Sequence, residues 1–138
     1  MGIRRRGREL ALQVLYQIDV THREVGEALD LFWDNFTSDE EARYFCERLV
    51  RGMVEHLDEI NDLIGKHAEH WEVGRMTQID RNILRMAVYE LVYCQDIPPK
   101  VTINEAVEIG KKFGSEDSGA FINGILDRIT LDLRALTN

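Results

Sequence analysis

Polar and apolar positions in this chain recur at helical spacing almost from end to end, and no segment shows clear period-two alternation. The broadest apolar stretch is residues 77–95, TQIDRNILRMAVYELVYCQ. Ile79, Ile83, Leu84, Met86, Ala87, Val88, Leu91, Val92 and Cys94 cover most of a helix's circumference, the pattern of a helix enclosed by others. Its polar residues gather early, at Asp80, Arg81, Asn82 and Arg85. The C-terminal half is therefore expected in the core and the N-terminal end at the surface. Thr77 and Asp80 resemble a capping box at its start. Pro98 and Pro99 follow its end, since the residue before a proline is pushed out of the α region.

Around it the same periodicity predicts further helices. Residues 3–20 carry Ile3, Leu10, Ala11, Val14, Leu15 and Ile18 on one face. After a polar break at 21–24, residues 25–36 present Leu29, Phe32, Trp33 and Phe36 at i, i+3, i+4, i+7, an aromatic stripe that reads as core. Ser38-Asp39-Glu40-Glu41 is a capping box that opens a long helical region to about Ala68, with a kink or break near 56–58. Thr102-Ile103-Asn104-Glu105 is a second capping box, placing a helix over 103–113 with Gly114 as its C-cap. Gly110 inside that helix implies the close approach of a neighbour. A last helix is expected from about Ser118 to Arg134, with Ile122, Ile125, Leu126, Ile129 and Leu133 as its stripe and 135–138 as a frayed tail. The expectation is an all-α chain with one real core, in a single domain.

Composition agrees: 44% hydrophobic, 30% charged and only two prolines. No apolar run is long enough to span a membrane. Glu9, Gln13, Gln17 and Asp19 interrupt the first apolar segment, so it is amphipathic rather than a secretory signal, and Arg6 stands where a myristoylation start needs Ser or Thr. Cys46 and Cys94 form no C-x-x-C pair and read as reduced, packed thiols, which fits an intracellular, cytoplasmic setting.

Charge changes the picture through its distribution. The net charge of −8 argues against a nucleic-acid binder. Yet residues 1–22 carry four basic side chains and two acidic ones, while residues 23–62 carry twelve acidic and four basic. The positive charge is local: Arg4, Arg5, Arg6 and Arg8. Cations at a helix N-terminus oppose the helix dipole, so helix stability does not explain them; an external anion would, the alternative being a frayed, solvated basic start. His67 and His70 beside Glu69 share a helix face, but with no third ligand nearby and no H-E-x-x-H pattern they read as structural, with no metal. No cofactor motif is present, and no Ser-His-Asp or Cys-His arrangement suggests catalysis.

The segment IDRNILRMAVYELVYCQDIPPKVTINEAVEIGKKFGSEDSGAFINGILDRI resembles the signature half of the NusB transcription antitermination family, and the opening RRRGRELALQVLYQ resembles that family's arginine-rich first helix. The matches cover residues 4–17 and roughly 71–130; the region 20–65 matches in helical pattern only. The resemblance implies about seven helices in two three-helix bundles packed across each other. It implies binding of single-stranded boxA RNA in nascent, notably ribosomal RNA, transcripts together with the ribosomal protein NusE. The pair would then act with other Nus factors on RNA polymerase, without catalysis. Gly110 and Gly119 depart from the pattern, which expects Ala and a larger polar residue there.

The residues fit that chemistry. Single-stranded RNA needs cations for phosphates, flat groups for splayed bases and polar groups for base edges. Arg4, Arg5, Arg6 and Arg8 supply the first, with Arg4 and Arg8 on one face at i, i+4. Phe121 is the stacking candidate, against a core role four residues before Ile125. Asn123 either reads a base edge or caps a turn, and Lys111 and Lys112 add rim cations. For the protein partner the resemblance points to Tyr16, Asp80 and Asp117; their ordinary roles would be a core edge, a helix cap and a turn former. Arg81 and Arg85 read as structural, pairing with acids such as Glu90 or Glu105. Two other readings stay open: a helical module that self-associates as a homodimer through its basic end and acidic middle, and an accessory domain of an RNA-modifying enzyme, against which the lack of a G-x-G-x-x-G loop speaks.

Overall fold

Gly2, in an extended conformation, leads directly into the first helix without a side-chain cap, so the chain becomes helical at its third residue. The computed structural model describes residues 2–68 and 76–137. The described residues form seven helices and no strand. They fall into two compact units, Met1–Glu55 and His56–Asn138.

The first unit holds α1 (Ile3–Thr21), α2 (Val25–Asn35) and α3 (Glu40–Glu55). Its core interleaves Leu10, Val14 and Leu15 of α1 with Leu29 and Phe32 of α2 and Phe45, Cys46, Leu49 and Val50 of α3. The aromatic stripe of α2 is core only in part: Phe32 is 1% exposed and Trp33 half-buried, but Phe36, at the helix end, is 39% exposed and stacks on Phe32 at a centroid distance of 4.4 Å. α1 lies closely on α3, and Gly7 is the reason it can. A Cβ there would sit 3.0 Å from both the Ala42 carbonyl oxygen and the Phe45 ring. α1 stops at His22, which adopts a left-handed conformation (φ 58°) while its N–H donates to the Ile18 carbonyl at 2.8 Å. Glu24 caps α2 by accepting from the Glu27 N–H at 3.1 Å. The N–H groups of Gly26 and then Glu27 hold its carboxyl below the usual carboxylate range.

The expected break in the long helical region falls at His56 (φ −109°, ψ 23°). The second unit follows it with α4 (Leu57–His67), α5 (Gln78–Tyr93), α6 (Pro99–Phe113) and α7 (Ser118–Thr137). Among the described residues the helices thus divide three and four between the units, seven in all, the number the resemblance implied. Glu69 and His70, considered beside His67 as metal ligands, lie outside the described residues, as do Trp71 and Val73, which the sequence offers as apolar anchors of the connection into the next helix.

α5 packs against α4, α6 and α7, as its broad apolar surface requires. Thr77 accepts from the Asp80 N–H at 3.2 Å, the expected N-cap bond. The burial is distributed differently from expectation. Ile83, Leu84 and Val88 in the middle are at most 1% exposed, whereas Leu91 and Val92 near the end are only half-buried. The polar start goes inward, with Asp80 8% and Asn82 1% exposed. Neighbouring helices supply polar partners there. Arg85 donates from Nε to the Asn61 side-chain oxygen at 2.9 Å and from a terminal nitrogen to Asn82 at 3.4 Å.

α6 begins one turn earlier than the Thr102–Glu105 capping box suggests. Pro99 takes the first helical position, where its missing N–H is no loss and its fixed φ is already helical. Thr102 is therefore inside the helix, and its hydroxyl donates to the buried Glu90 carboxylate of α5 at 2.9 Å. Gly110 meets the close approach expected of it, since a Cβ there would come 2.7 Å from the Ile122 side chain of α7. Gly114 ends α6, its N–H donating to the Gly110 carbonyl at 2.8 Å, and a side chain on it would collide with the Ser118 hydroxyl. That hydroxyl instead accepts from the Ser115 N–H at 2.9 Å, which tightens the turn into α7. α7 continues to Thr137, three residues beyond the expected end. No helix among the described residues is long and apolar enough to cross a membrane.

Candidate nucleic-acid and partner interface

The arginine cluster occupies the first two turns of α1, with no acidic residue in the first turn. Arg4 and Arg6 are exposed and Arg5 is half-buried. Arg8 is a correction to the sequence reading, being only 3% exposed. Its guanidinium lies 5.2 Å from the centroid of the Phe45 ring, and that of Arg4 lies 5.1 Å from the same centroid. The i, i+4 pair does share a face, but the face turns toward α3. Gly7 draws α1 onto α3 and takes Arg8 down with it. Three guanidiniums remain accessible to an external anion, and Arg4 is already oriented by an aromatic ring.

The second group surrounds the junction of α6 and α7. Lys111 and Lys112 are exposed in the last turn of α6, where cations suit the helix dipole. Lys112 Nζ sits 5.1 Å from the Phe113 ring centroid, and Lys111 pairs with Glu108 at 3.7 Å. Gly119 makes room for the Lys111 stem, because a Cβ there would lie 3.1 Å from Lys111 Cγ. A larger residue at 119 would have to displace that stem. Phe121 is half-buried. Asn123 is exposed, and its amide approaches Asp127 at 3.4 Å. Two residues along a helix rotate the side chain by about 200°, so Phe121 and Asn123 do not share a face. Asn123 instead lines an open concavity of about 430 Å³ with Pro99, Lys100, Asn104 and Leu131.

Of the expected partner residues, Tyr16 is 53% exposed on α1. Asp117 is exposed just before α7, its carbonyl accepting from the Phe121 N–H at 3.1 Å. Its carboxylate lies at a helix N-terminus, where negative charge is favoured. Asp80 differs from both. It is 8% exposed, and its Oδ1 has no hydrogen-bond partner among the described residues. A surface contact through this side chain is not what the structure presents.

Other candidate groups have structural roles. His67 is 8% exposed, its Nδ1 2.9 Å from the Leu63 carbonyl oxygen and its Nε2 2.5 Å from Asp132. This ties α4 to α7. Cys46 and Cys94 are both buried. Burial, and then the charge of Glu47, push the Cys46 thiol up to about 12, so it is inert at neutral pH. Around the α1–α3 contact the structure adds residues that the sequence reading missed. Tyr44, Glu40, Glu41 and Arg48 border an open concavity of about 490 Å³ beside Arg4. The available signal was an aromatic residue lying off the apolar stripe of α3.

Comparison with known proteins matches the model of the NusB family over residues 5–131. A relative from Syntrophus aciditrophicus (strain SB), described as transcription antitermination protein NusB, is 52% identical over 129 residues, spanning 94% of this chain and 80% of that protein. Among solved structures, T. maritima NusB superposes with a TM-score of 0.86 at 42% identity, covering 94% of this chain and 91% of the other. A crystal structure of the antitermination factors NusB and NusE in complex with double-stranded RNA contains a chain that matches with a TM-score of 0.84 at 30% identity, covering 96% and 98%.

Proposed function

The chain belongs to the NusB family, and on that premise we propose that it is a transcription antitermination factor. It binds single-stranded boxA RNA of nascent ribosomal RNA transcripts together with NusE, joins other Nus factors on RNA polymerase, catalyses no reaction and works in the cytoplasm. The observation that carries this reading is the likeness, over nearly the full length of both chains, to a protein solved with NusE and RNA.

The geometry supports a division of labour. Arg4, Arg5 and Arg6 hold phosphates, their planar guanidiniums gripping two oxygens or stacking on a base. Arg8 acts from beneath, packed on the Phe45 ring that also carries Arg4. Phe121 stacks on a splayed base, Lys112 adds a rim cation, and Asn123 meets a different part of the strand from the other side of α7. Stacking on Phe121 requires unstacked bases, which is why the preferred ligand is single-stranded. Tyr16 and Asp117 offer NusE an aromatic ring and a carboxylate. A stacked base is worth roughly 1–3 kcal/mol and a few phosphate contacts a salt-dependent amount of similar size, so affinity is modest alone and rises with NusE bound.

A titration of boxA-like RNA, single- and double-stranded, with and without NusE, tests the reading. The Arg5→Ala/Arg6→Ala double variant should bind more weakly, with a salt slope smaller by roughly 1.4. An unchanged affinity and slope would remove the arginines from the interface. Equal affinity with and without NusE would contradict a composite site.

A further inference from the structure

Tyr44 is 74% exposed, the most open large hydrophobic side chain among the described residues. It lies off the stripe, Ala42, Phe45, Cys46 and Leu49, that buries α3 in its unit. Nothing in the packing of the helix calls for an aromatic ring there. Glu40, Tyr44 and Arg48 follow at i, i+4 and i+8, a single column along the helix surface. With Glu41, and with Arg4 from the first turn of α1, that column borders the open concavity of about 490 Å³, which Phe45 also lines. The Arg4 guanidinium is held at its edge, 5.1 Å from the Phe45 ring centroid.

We propose that this concavity takes one guanine, splayed out of single-stranded RNA, stacked on Tyr44 and read along its Watson–Crick edge by Glu40 and Glu41. The inference rests on the RNA-binding reading above and specifies a base for it. Splayed bases are recognised by aromatic and guanidinium planes together with hydrogen bonds to their edges. Ionised carboxylates only accept hydrogen bonds, so they select a base edge made of donors. Guanine offers its ring N–H and adjacent amino group to one carboxylate at once. Uracil offers a single N–H between two carbonyl oxygens, which a carboxylate repels. The acidic pair would reject a bare phosphate, but the phosphates that flank the base fall to Arg4, next to Arg5 and Arg6 on α1, and to Arg48 of α3. Two carboxylates inside a phosphate-binding region, otherwise a defect, thus become the source of base preference.

The test uses the full chain and three oligouridylates: one unmodified, one with a central guanosine and one with a central inosine, which lacks the amino group. Guanosine should tighten binding about tenfold over uridine, and inosine should lose most of that gain. Tyr44→Ala should abolish the guanosine preference and Tyr44→Phe should retain it, because the ring face and not the hydroxyl stacks. Glu40→Gln/Glu41→Gln should erase the distinction between guanosine and inosine. Far-UV circular dichroism should stay unchanged for Tyr44→Ala, since the side chain is exposed. Equal affinity for the guanosine and uridine strands, or a guanosine preference that survives Tyr44→Ala, overturns the pocket. If RNA binding then still depends on Arg5 and Arg6, only the pocket falls. If neither these strands nor boxA-like RNA with NusE are bound, the RNA-binding reading falls as well.

Discussion

α1 and α5 both open with a run of polar side chains ahead of an apolar stretch, and the structure treats the two openings in opposite ways. At α1, Arg4 and Arg6 stay in solvent, and the chain turns inward only from Gly7. At α5, Asp80 is 8% exposed and Asn82 1%, so the polar start is already inside. The difference lies in the neighbours. α1 meets α2 and α3, and Gly7 brings its early turns against Ala42 and Phe45 of α3. α5 is flanked by α4, α6 and α7, and Asn61 and Thr102 from those helices provide hydrogen-bond partners for its polar residues. A polar helix start is thus a surface feature only where adjoining elements leave it uncovered. The uncovered start is available to ligands, and the covered one specifies how helices fit together.

Three substitutions break or sharpen this contrast. The largest effect is expected from Asp80→Lys, which puts an ammonium group into a nearly closed site. It should destabilise the protein by about 3 kcal/mol in a urea melt. An unchanged midpoint with NusE binding lost would instead make Asp80 a surface contact, and would erase the distinction between the two helix starts. Gly7→Ala comes next. Helix propensity favours alanine by about 1 kcal/mol, but the new methyl group meets the Ala42 carbonyl oxygen at 3.0 Å. Overpacking against backbone should win, with a net loss of about 1 kcal/mol and weaker RNA binding as Arg4 shifts. A stabilised variant with unchanged affinity would show that α3 gives way. The smallest change belongs to Arg6→Ala, whose unfolding free energy should stay within about 0.5 kcal/mol of the parent. A larger loss would mean that the outer arginines support the fold as Arg8 does.

Helix ends and core stripes were largely legible because period and capping chemistry are local. The break near residue 56, the burial of Leu29 and Phe32 in α2 and the close approach at Gly110 all follow from short-range pattern. Thr102 was misassigned for an equally local reason. Its spacing to Glu105 has the form of a capping box, but Pro99 starts the helix first and Thr102 turns to Glu90 across the helix pair. The depth of Arg8 and Asp80 was not legible, because it depends on Phe45 and on the flanking helices, which periodicity along one helix does not report. Phe121 and Asn123 are a different case. Helical geometry alone separates their faces, although the resemblance makes both candidates for RNA contact. Tyr44 lies outside the apolar stripe of α3, so helical periodicity assigns it no role.

α1 also works as a ruler. It is continuous from Ile3 to Thr21, so it fixes Arg4 and Tyr16 about 18 Å apart along the axis and about 120° apart around it. On the proposed assignment, a nucleic acid at Arg4 and a protein at Tyr16 would approach from different azimuths and need not compete. Their separation is set by the number of residues between them, so that a whole inserted turn would leave each contact chemically intact while displacing one partner from the other by about 5.4 Å.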